Sequence, residues 1–140
     1  MDYVDYAMKC GVEVLESEHE GVMQRDFGNV ISLENFPATS HPFWNMKHTN
    51  NGIFNKVDVI LYGMETIGSA ERSCDVKEML HFFNTVSDGN YKRLLFNLFT
   101  EERVMKELRE YLALKMFPRY GGGIGITRMA RAMKLAKLIE

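Results

Sequence analysis

Asp58-Val59-Ile60-Leu61-Tyr62-Gly63-Met64-Glu65-Thr66-Ile67-Gly68-Ser69-Ala70-Glu71-Arg72 is the stretch on which the architecture turns. With the preceding Val57, its first part is a dense β-branched and apolar run that reads as a buried strand over 57–61. Gly63 breaks that run, and a second strand follows through Arg72. A two-residue turn at Gly63-Met64, glycine first as a type II′ turn prefers, pairs Tyr62 with Glu65. Counting back by two places Asp58, Ile60, Tyr62 and Glu65 on one face. Two carboxylates on one face suit a divalent cation carried on a polyphosphate. Strict alternation leaves Arg72 on the opposite face, and a bulge at Gly68-Ser69 would return it to the carboxylate side. The plainer alternative is an exposed face on which Glu65 and Arg72 make weak surface pairs.

Outward from the hairpin, residues 2–10 have helical spacing, with Tyr3, Tyr6, Ala7 and Cys10 on one side and Gly11 as a stop. Val12, Val14 and Leu15 predict a short strand, followed by an acidic loop from Glu16 to Glu20 and a helix over 18–25. Residues 28–33 read as a strand cut off by Pro37, and 35–51 as a loop. Helical periods cover 76–86 and 100–116, with Pro118 ending the latter, and an amphipathic helix closes the chain over 127–139. Strands in the middle with helices around them predict an α+β fold, a largely antiparallel sheet flanked by helices. No repeat or linker marks a boundary, so 1–140 reads as one domain.

The 140 residues are 46% hydrophobic and 26% charged, an ordinary globular balance. No run approaches the roughly 20 apolar residues of a membrane span. Acids at Asp2 and Asp5 stand where a targeting peptide would be basic. Cys10 and Cys74 form no CxxC pair and read as reduced thiols, so the expected location is cytoplasmic, with no membrane partner. A net charge of −2 argues against general polyanion binding. The charge is uneven: residues 1–100 hold 8 basic and 14 acidic side chains, and residues 101–140 hold 9 and 5. A basic end on an acidic body can meet an anion locally; it also fits a solvated basic helix.

Gly121-Gly122-Gly123-Ile124-Gly125-Ile126-Thr127-Arg128 is the strongest local signal. Its glycines strip side chains from a surface so that a flat group can lie on backbone. Ile124 and Ile126 alternate with them, as in a strand whose other face is buried. The element runs into a helix whose early turn carries Arg128, a guanidinium able to meet phosphate or stack. Tight helix–sheet packing is an equal use for such glycines. There is no GK[ST] P-loop and no GxGxxG in a βαβ unit. In Phe36-Pro37-Ala38-Thr39-Ser40-His41-Pro42-Phe43-Trp44, two prolines bracket a rigid turn whose aromatic pair reads first as a core plug. His19, His41, His48 and His81 lack metal-site spacing.

Taken in this order, these pieces resemble the C-terminal half of a class II aminoacyl-tRNA synthetase catalytic domain. The likeness is to the aspartyl/asparaginyl subgroup and its tRNA-independent asparagine-synthetase relatives, and it covers about residues 3–137. Phe36-Pro37 through Pro42-Phe43-Trp44 is similar to the family's proline loop. Asp58, Glu65 and Arg72 match its spacing of seven and seven, and Gly121 through Arg128 matches motif 3.

The resemblance implies ATP and Mg²⁺ as cofactors, with Asp58 and Glu65 holding the metal. It implies that Arg72, with Ser69 nearby, meets the side-chain end of aspartate or asparagine. Gly121, Gly122, Gly123 and Gly125 would form the ATP floor, and Arg128 would reach the γ-phosphate and cover the adenine as the catalytic arginine. The implied reaction is attack of a substrate carboxylate on the α-phosphate, giving an acyl-adenylate and pyrophosphate. Gly68, Thr127 and Pro118-Arg119-Tyr120 depart from the family pattern, leaving aspartate against asparagine, and tRNA as acceptor, open. Nothing resembles motifs 1 and 2, so the expectation is a partial catalytic domain. It would be inactive as isolated residues and completed by a separate N-terminal half or a second copy, or else be a binding module without catalysis.

Overall fold

The computed structural model describes residues 1–40, 42–49 and 51–140; His41 lies outside them. Its centre is an antiparallel sheet in the order β1 (Val30–Pro37), β2 (Ile53–Leu61), β3 (Glu65–Arg72) and β4 (Arg119–Ile124). Six helices surround it: α1 (Tyr3–Cys10), α2 (Ser17–Phe27), α3 (Val76–Thr85), α4 (Asn90–Phe99), α5 (Glu101–Leu112) and α6 (Ile126–Leu135). This is the expected α+β class with an antiparallel sheet flanked by helices.

The β2–β3 hairpin turns one residue earlier than Gly63 suggested. Leu61 and Met64 exchange backbone hydrogen bonds of 2.9 and 3.2 Å, so the loop is Tyr62-Gly63. Both residues have positive φ, 51° and 71°, the signature of a type I′ rather than a type II′ turn. Gly63 is also required sterically: a Cβ there would stand 2.8 Å from Gln24 Oε1 and 3.2 Å from the Gly21 backbone, because α2 packs on the turn.

The bulge is displaced as well. Ile60 pairs with Glu65 while Val59 pairs with Ile67, so Thr66 is the extra residue and the ladder from Ile67 to Ala70 is regular. Thr66 is buried, its hydroxyl donating to the Met64 carbonyl at 3.0 Å. With that one insertion Asp58, Ile60, Glu65, Gly68, Ala70 and Arg72 share a face.

Two apolar clusters support the sheet. Tyr3, Tyr6, Ala7 and Met23 from α1 and α2 pack on Ile31, Leu33, Phe36 and Ile60, covering the β1–β2 half of the carboxylate face. Trp44, Met79, Phe83, Val104 and Leu108 form the second, among α3, α4 and α5. Trp44 meets Phe83 and Tyr111 edge-on at 5.6 and 5.4 Å, so it is the core plug expected, while Phe43 stays 41% exposed. Phe54 against Phe82, 5.2 Å between rings, links this cluster to the sheet.

Several boundaries move. Val12, Val14 and Leu15 form no strand, since no neighbour offers a ladder; Val12 and Leu15 pack on the first cluster, and the Leu15 amide donates to Tyr3 Oη at 2.8 Å. β1 continues through Pro37, which a proline at the end of an edge strand permits. Helix α4 lies where no element was expected, half-burying Tyr91, Leu95 and Phe96. Thr100, at φ 68°, separates it from α5 and accepts from the Arg103 amide. Helix α5 ends at Leu112, before Pro118, and α6 ends at Leu135.

The chain start is anchored electrostatically. Asp2 caps α1 by accepting from the Val4 and Asp5 amides, and Asn35 donates to its other oxygen at 2.9 Å. The Asn35 bond leads the causes that hold the Asp2 carboxyl below its ordinary 3.8. Asp2→Ala should cost about 1 kcal/mol at neutral pH. A lowered carboxyl stabilises fully above the ordinary carboxylate range and loses that contribution as pH falls through its folded value. The gap between parent and variant in urea unfolding should therefore be constant above about pH 5 and close in stronger acid.

Candidate functional site

The bulge at Thr66 sets up the site by aligning β2 and β3 side chains over the glycines of β4. Asp58 is 6% exposed, and its Oδ1 is buried with no hydrogen-bond partner among the described residues. Its Oδ2 accepts from the Lys56 ammonium. A Cβ on Gly68 would stand 2.8 Å from Glu65 Oε1 and 3.2 Å from Asp58 Oδ1, so both oxygens converge over that glycine. Burial pushes the Asp58 carboxyl above its ordinary value against the pull of Lys56, and the Glu65 charge pushes the same way as burial.

Glu20 of α2 is a third carboxylate here. It accepts from the Glu65 backbone amide, and burial raises its pKa. Together Glu20, Lys56, Asp58 and Glu65 line a small, partly open polar pocket of about 190 Å³, with Tyr3 and Phe36 also in its wall. In the sequence Glu20 reads as the end of an acidic run and part of a helix over 18–25, with no site role, and Lys56 has none. No periodicity along one element could bring α2 to β3, and the signal for Lys56 was its place two residues before Asp58, on the same face.

At the other end of the face, Arg72 Nη2 donates to the Gly121 carbonyl at 3.0 Å, and Nη1 lies 3.4 Å from Asn45 Oδ1. Asn45 and Arg119 both donate to Tyr111 Oη, at 3.5 and 3.0 Å, extending a polar line into the helical layer. A Cβ on Gly121 would stand 2.9 Å from Arg72 Nε; one on Gly123 would meet nothing within 4 Å. Open backbone at Gly123 therefore lies between the carboxylates and the guanidinium. Arg128, in the first turn of α6, folds back past Gly125 and donates to the Glu65 carbonyl at 2.7 Å. Arg131, exposed one turn further along α6, donates to the Tyr62 carbonyl at 3.2 Å.

Two candidates face elsewhere. Ser69 pairs with Val57 and Gly122, alternates away from Gly68, and bonds the Val57 carbonyl at 3.3 Å. Gly122 follows it: a Cβ there would meet Ser69 Cβ at 2.8 Å, so the glycines divide between two faces. The alternation expected through Ile126 does not hold: β4 ends at Ile124, which is 55% exposed on the reverse face, and Ile126, 76% exposed, already opens α6.

A magnesium ion fits the donors present. Magnesium is held by one or two carboxylates together with phosphates and water, and the orphaned Asp58 Oδ1 and Glu65 Oε1 provide such a pair over a glycine that leaves room. Among the described residues no group of three His, Cys, Asp or Glu side chains forms a cage. No helix among them is long and apolar enough to cross a membrane. His19 accepts from the Glu16 amide, and His48 and His81 lie against aromatic rings.

The family model for tRNA synthetases class II (D, K and N) matches residues 5–140. The chain belongs to that family. No curated protein matches it. Among solved structures, it is similar to Entamoeba histolytica asparaginyl-tRNA synthetase in complex with asparaginyl-adenylate, at TM-score 0.71 and 17% identity over 95% of this chain and 31% of that one. Pyrococcus horikoshii asparaginyl-tRNA synthetase gives 0.66 and 18%, over 94% and 31%. Aspartyl tRNA synthetase from Entamoeba histolytica gives 0.64 and 18%, over 94% and 28%. The chain thus spans less than a third of the length of these structures, and at such identities the likeness establishes the fold.

The division of this family member's glycines between faces is testable. A Cβ on Gly122 would also meet the Gly68 carbonyl oxygen at 2.7 Å. Gly122→Ala should lose about 1–3 kcal/mol as backbone is forced apart, whereas Gly123→Ala should unfold at nearly the parental denaturant concentration.

Proposed function

We propose that this chain forms part of an ATP-dependent ligase that activates aspartate or asparagine as an acyl-adenylate, as an aspartyl- or asparaginyl-tRNA synthetase does before aminoacylating tRNA. The observation that carries this reading is the common face: Asp58, Glu65 and Arg72 share it with open backbone at Gly123, the Arg72 guanidinium lying over Gly121 and Arg128 beside Glu65. Family membership supports it.

In this reading the adenosine lies over Gly123, where the backbone is open, and beside Gly125, which the Arg128 side chain covers. Arg128 stacks on the base and donates to phosphate. Arg72 meets the side-chain end of the amino acid. Asp58 Oδ1 and Glu65 Oε1 would hold magnesium, which supplies neutralising charge to the phosphates when bound. A substrate carboxylate oxygen forms a bond to the α-phosphorus, the bond from that phosphorus to the α–β bridging oxygen breaks, and pyrophosphate leaves with the electron pair. The side chains named here position reactants and offset charge, with no covalent enzyme intermediate. Ser69 and Gly122, turned to the other face, act through the packing of β3 on β4 rather than by contact.

Arginine at 128 is required by its plane as well as its charge, because lysine cannot stack and bond phosphate together. Arg128→Lys and Arg128→Ala should both weaken ATP binding by roughly 1.5–3 kcal/mol in calorimetric titration. Arg131→Ala loses only its hairpin contact and should bind ATP like the parent. Parental affinity in Arg128→Lys would overturn the assignment. Magnesium gives a second readout: ATP should bind more tightly with it than without, and Glu65→Gln should remove the difference.

A further inference from the structure

Lys56 holds an unusual position. Two residues before Asp58 on β2, it projects to the same face, and its side chain is only 18% exposed. Its ammonium bonds Asp58 Oδ2 and sits 3.5 Å above the centre of the Phe36 ring. Desolvating an ammonium is costly unless it is paired, and here a carboxylate and an aromatic face both hold it. The second Asp58 oxygen remains buried and unpartnered, aimed toward Glu65 over Gly68. One half of the acid pair thus already has its cation, covalently tethered, and the other half has none.

We propose that Lys56 is the resident counter-cation of this site and sets its demand for metal. With Lys56 in place, Glu20, Asp58 and Glu65 together carry a net charge of about −2 rather than −3, with the Arg128 guanidinium nearby, so they attract a free divalent ion less strongly. The ion then arrives with the polyphosphate that supplies its remaining ligands. Replacing Lys56 by a neutral side chain uncovers a second carboxylate oxygen and restores the full charge, creating a cation site that needs no nucleotide.

This inference rests on the carboxylate roles of the proposed function, but its test uses no nucleotide. Failure of ATP to bind therefore leaves it standing, and its own failure leaves ATP binding untouched. The probe is Mn²⁺ alone, titrated by electron paramagnetic resonance against the 140-residue chain and its variants. Lys56→Met keeps the aliphatic stem over Phe36 and should bind Mn²⁺ on the order of tenfold more tightly than the parent. Lys56→Arg, which keeps the charge, should match the parent. Adding Glu65→Gln to Lys56→Met should abolish the gain. Lys56→Gln is a second neutral variant, and circular dichroism checks the fold of each. Unchanged Mn²⁺ affinity in both neutral variants would overturn the proposal, as would a gain that survives Glu65→Gln. Loss of fold in both would overturn it too, by making Lys56 a structural ion pair.

Discussion

One inserted residue, Thr66, governs the geometry of this molecule. Because side chains alternate along a strand, Glu65 and Arg72 would face opposite ways in a perfect ladder, seven residues being an odd number. The β2–β3 ladder absorbs Thr66 between Ile60↔Glu65 and Val59↔Ile67, and its buried hydroxyl is satisfied by the Met64 carbonyl. That insertion brings the guanidinium of Arg72 to the side of Asp58 and Glu65. The next strand inherits the alignment, since Gly121 and Gly123 pair with Ala70 and Gly68 and so face the same way.

The bulge is held from outside the sheet. Helix α2 packs on the Tyr62-Gly63 turn through Gly21 and Gln24, and the Glu20 carboxylate accepts from the Glu65 amide beside the bulge. From α6, Arg128 and Arg131 hold the Glu65 and Tyr62 carbonyls at 2.7 and 3.2 Å. Backbone groups that the tight turn and the bulge leave outside the ladder are thus bonded by side chains from two helices. The same contacts bring a third carboxylate and a guanidinium to Glu65, so support of the turn and assembly of the charged site are one construction.

Burial gives this cluster its electrostatic character. Asp58 is removed from water with Lys56 as its one hydrogen-bond partner among the described residues, and burial makes its carboxyl harder to ionise. A buried, half-satisfied carboxylate is a costly arrangement in a protein that has no use for it. Here the unsatisfied oxygen points at Glu65 over a glycine, where a ligand's cation would relieve it.

Much was determined by the sequence alone: the antiparallel α+β class, the hairpin at 57–72, the helix stop at Gly11, the core role of Trp44, and the family itself, because these depend on local periodicity and ordered motifs. Asp58 and Glu65 on one face were also legible, since the count from Gly63 has the same parity whether the turn is type II′ at Gly63-Met64 or type I′ at Tyr62-Gly63 with the bulge beyond Glu65. The location of that bulge was not, because packing by α2 and α6 selects it over Gly68-Ser69. Helix α4 was missed although its apolar side is regular: Tyr91, Leu95 and Phe96 pack on the second cluster, Tyr91 edge-on to Phe43 at 5.4 Å, while Leu94 and Leu98 stay exposed. The facing of Ser69 and Gly122 follows from pairing with β4, a strand about fifty residues further along. Lys56 was within reach of the alternation that placed Asp58, but Glu20 joined the acid pair only through the packing of α2 on the hairpin, for the charge of a side chain is written in the sequence but its tertiary neighbours are not.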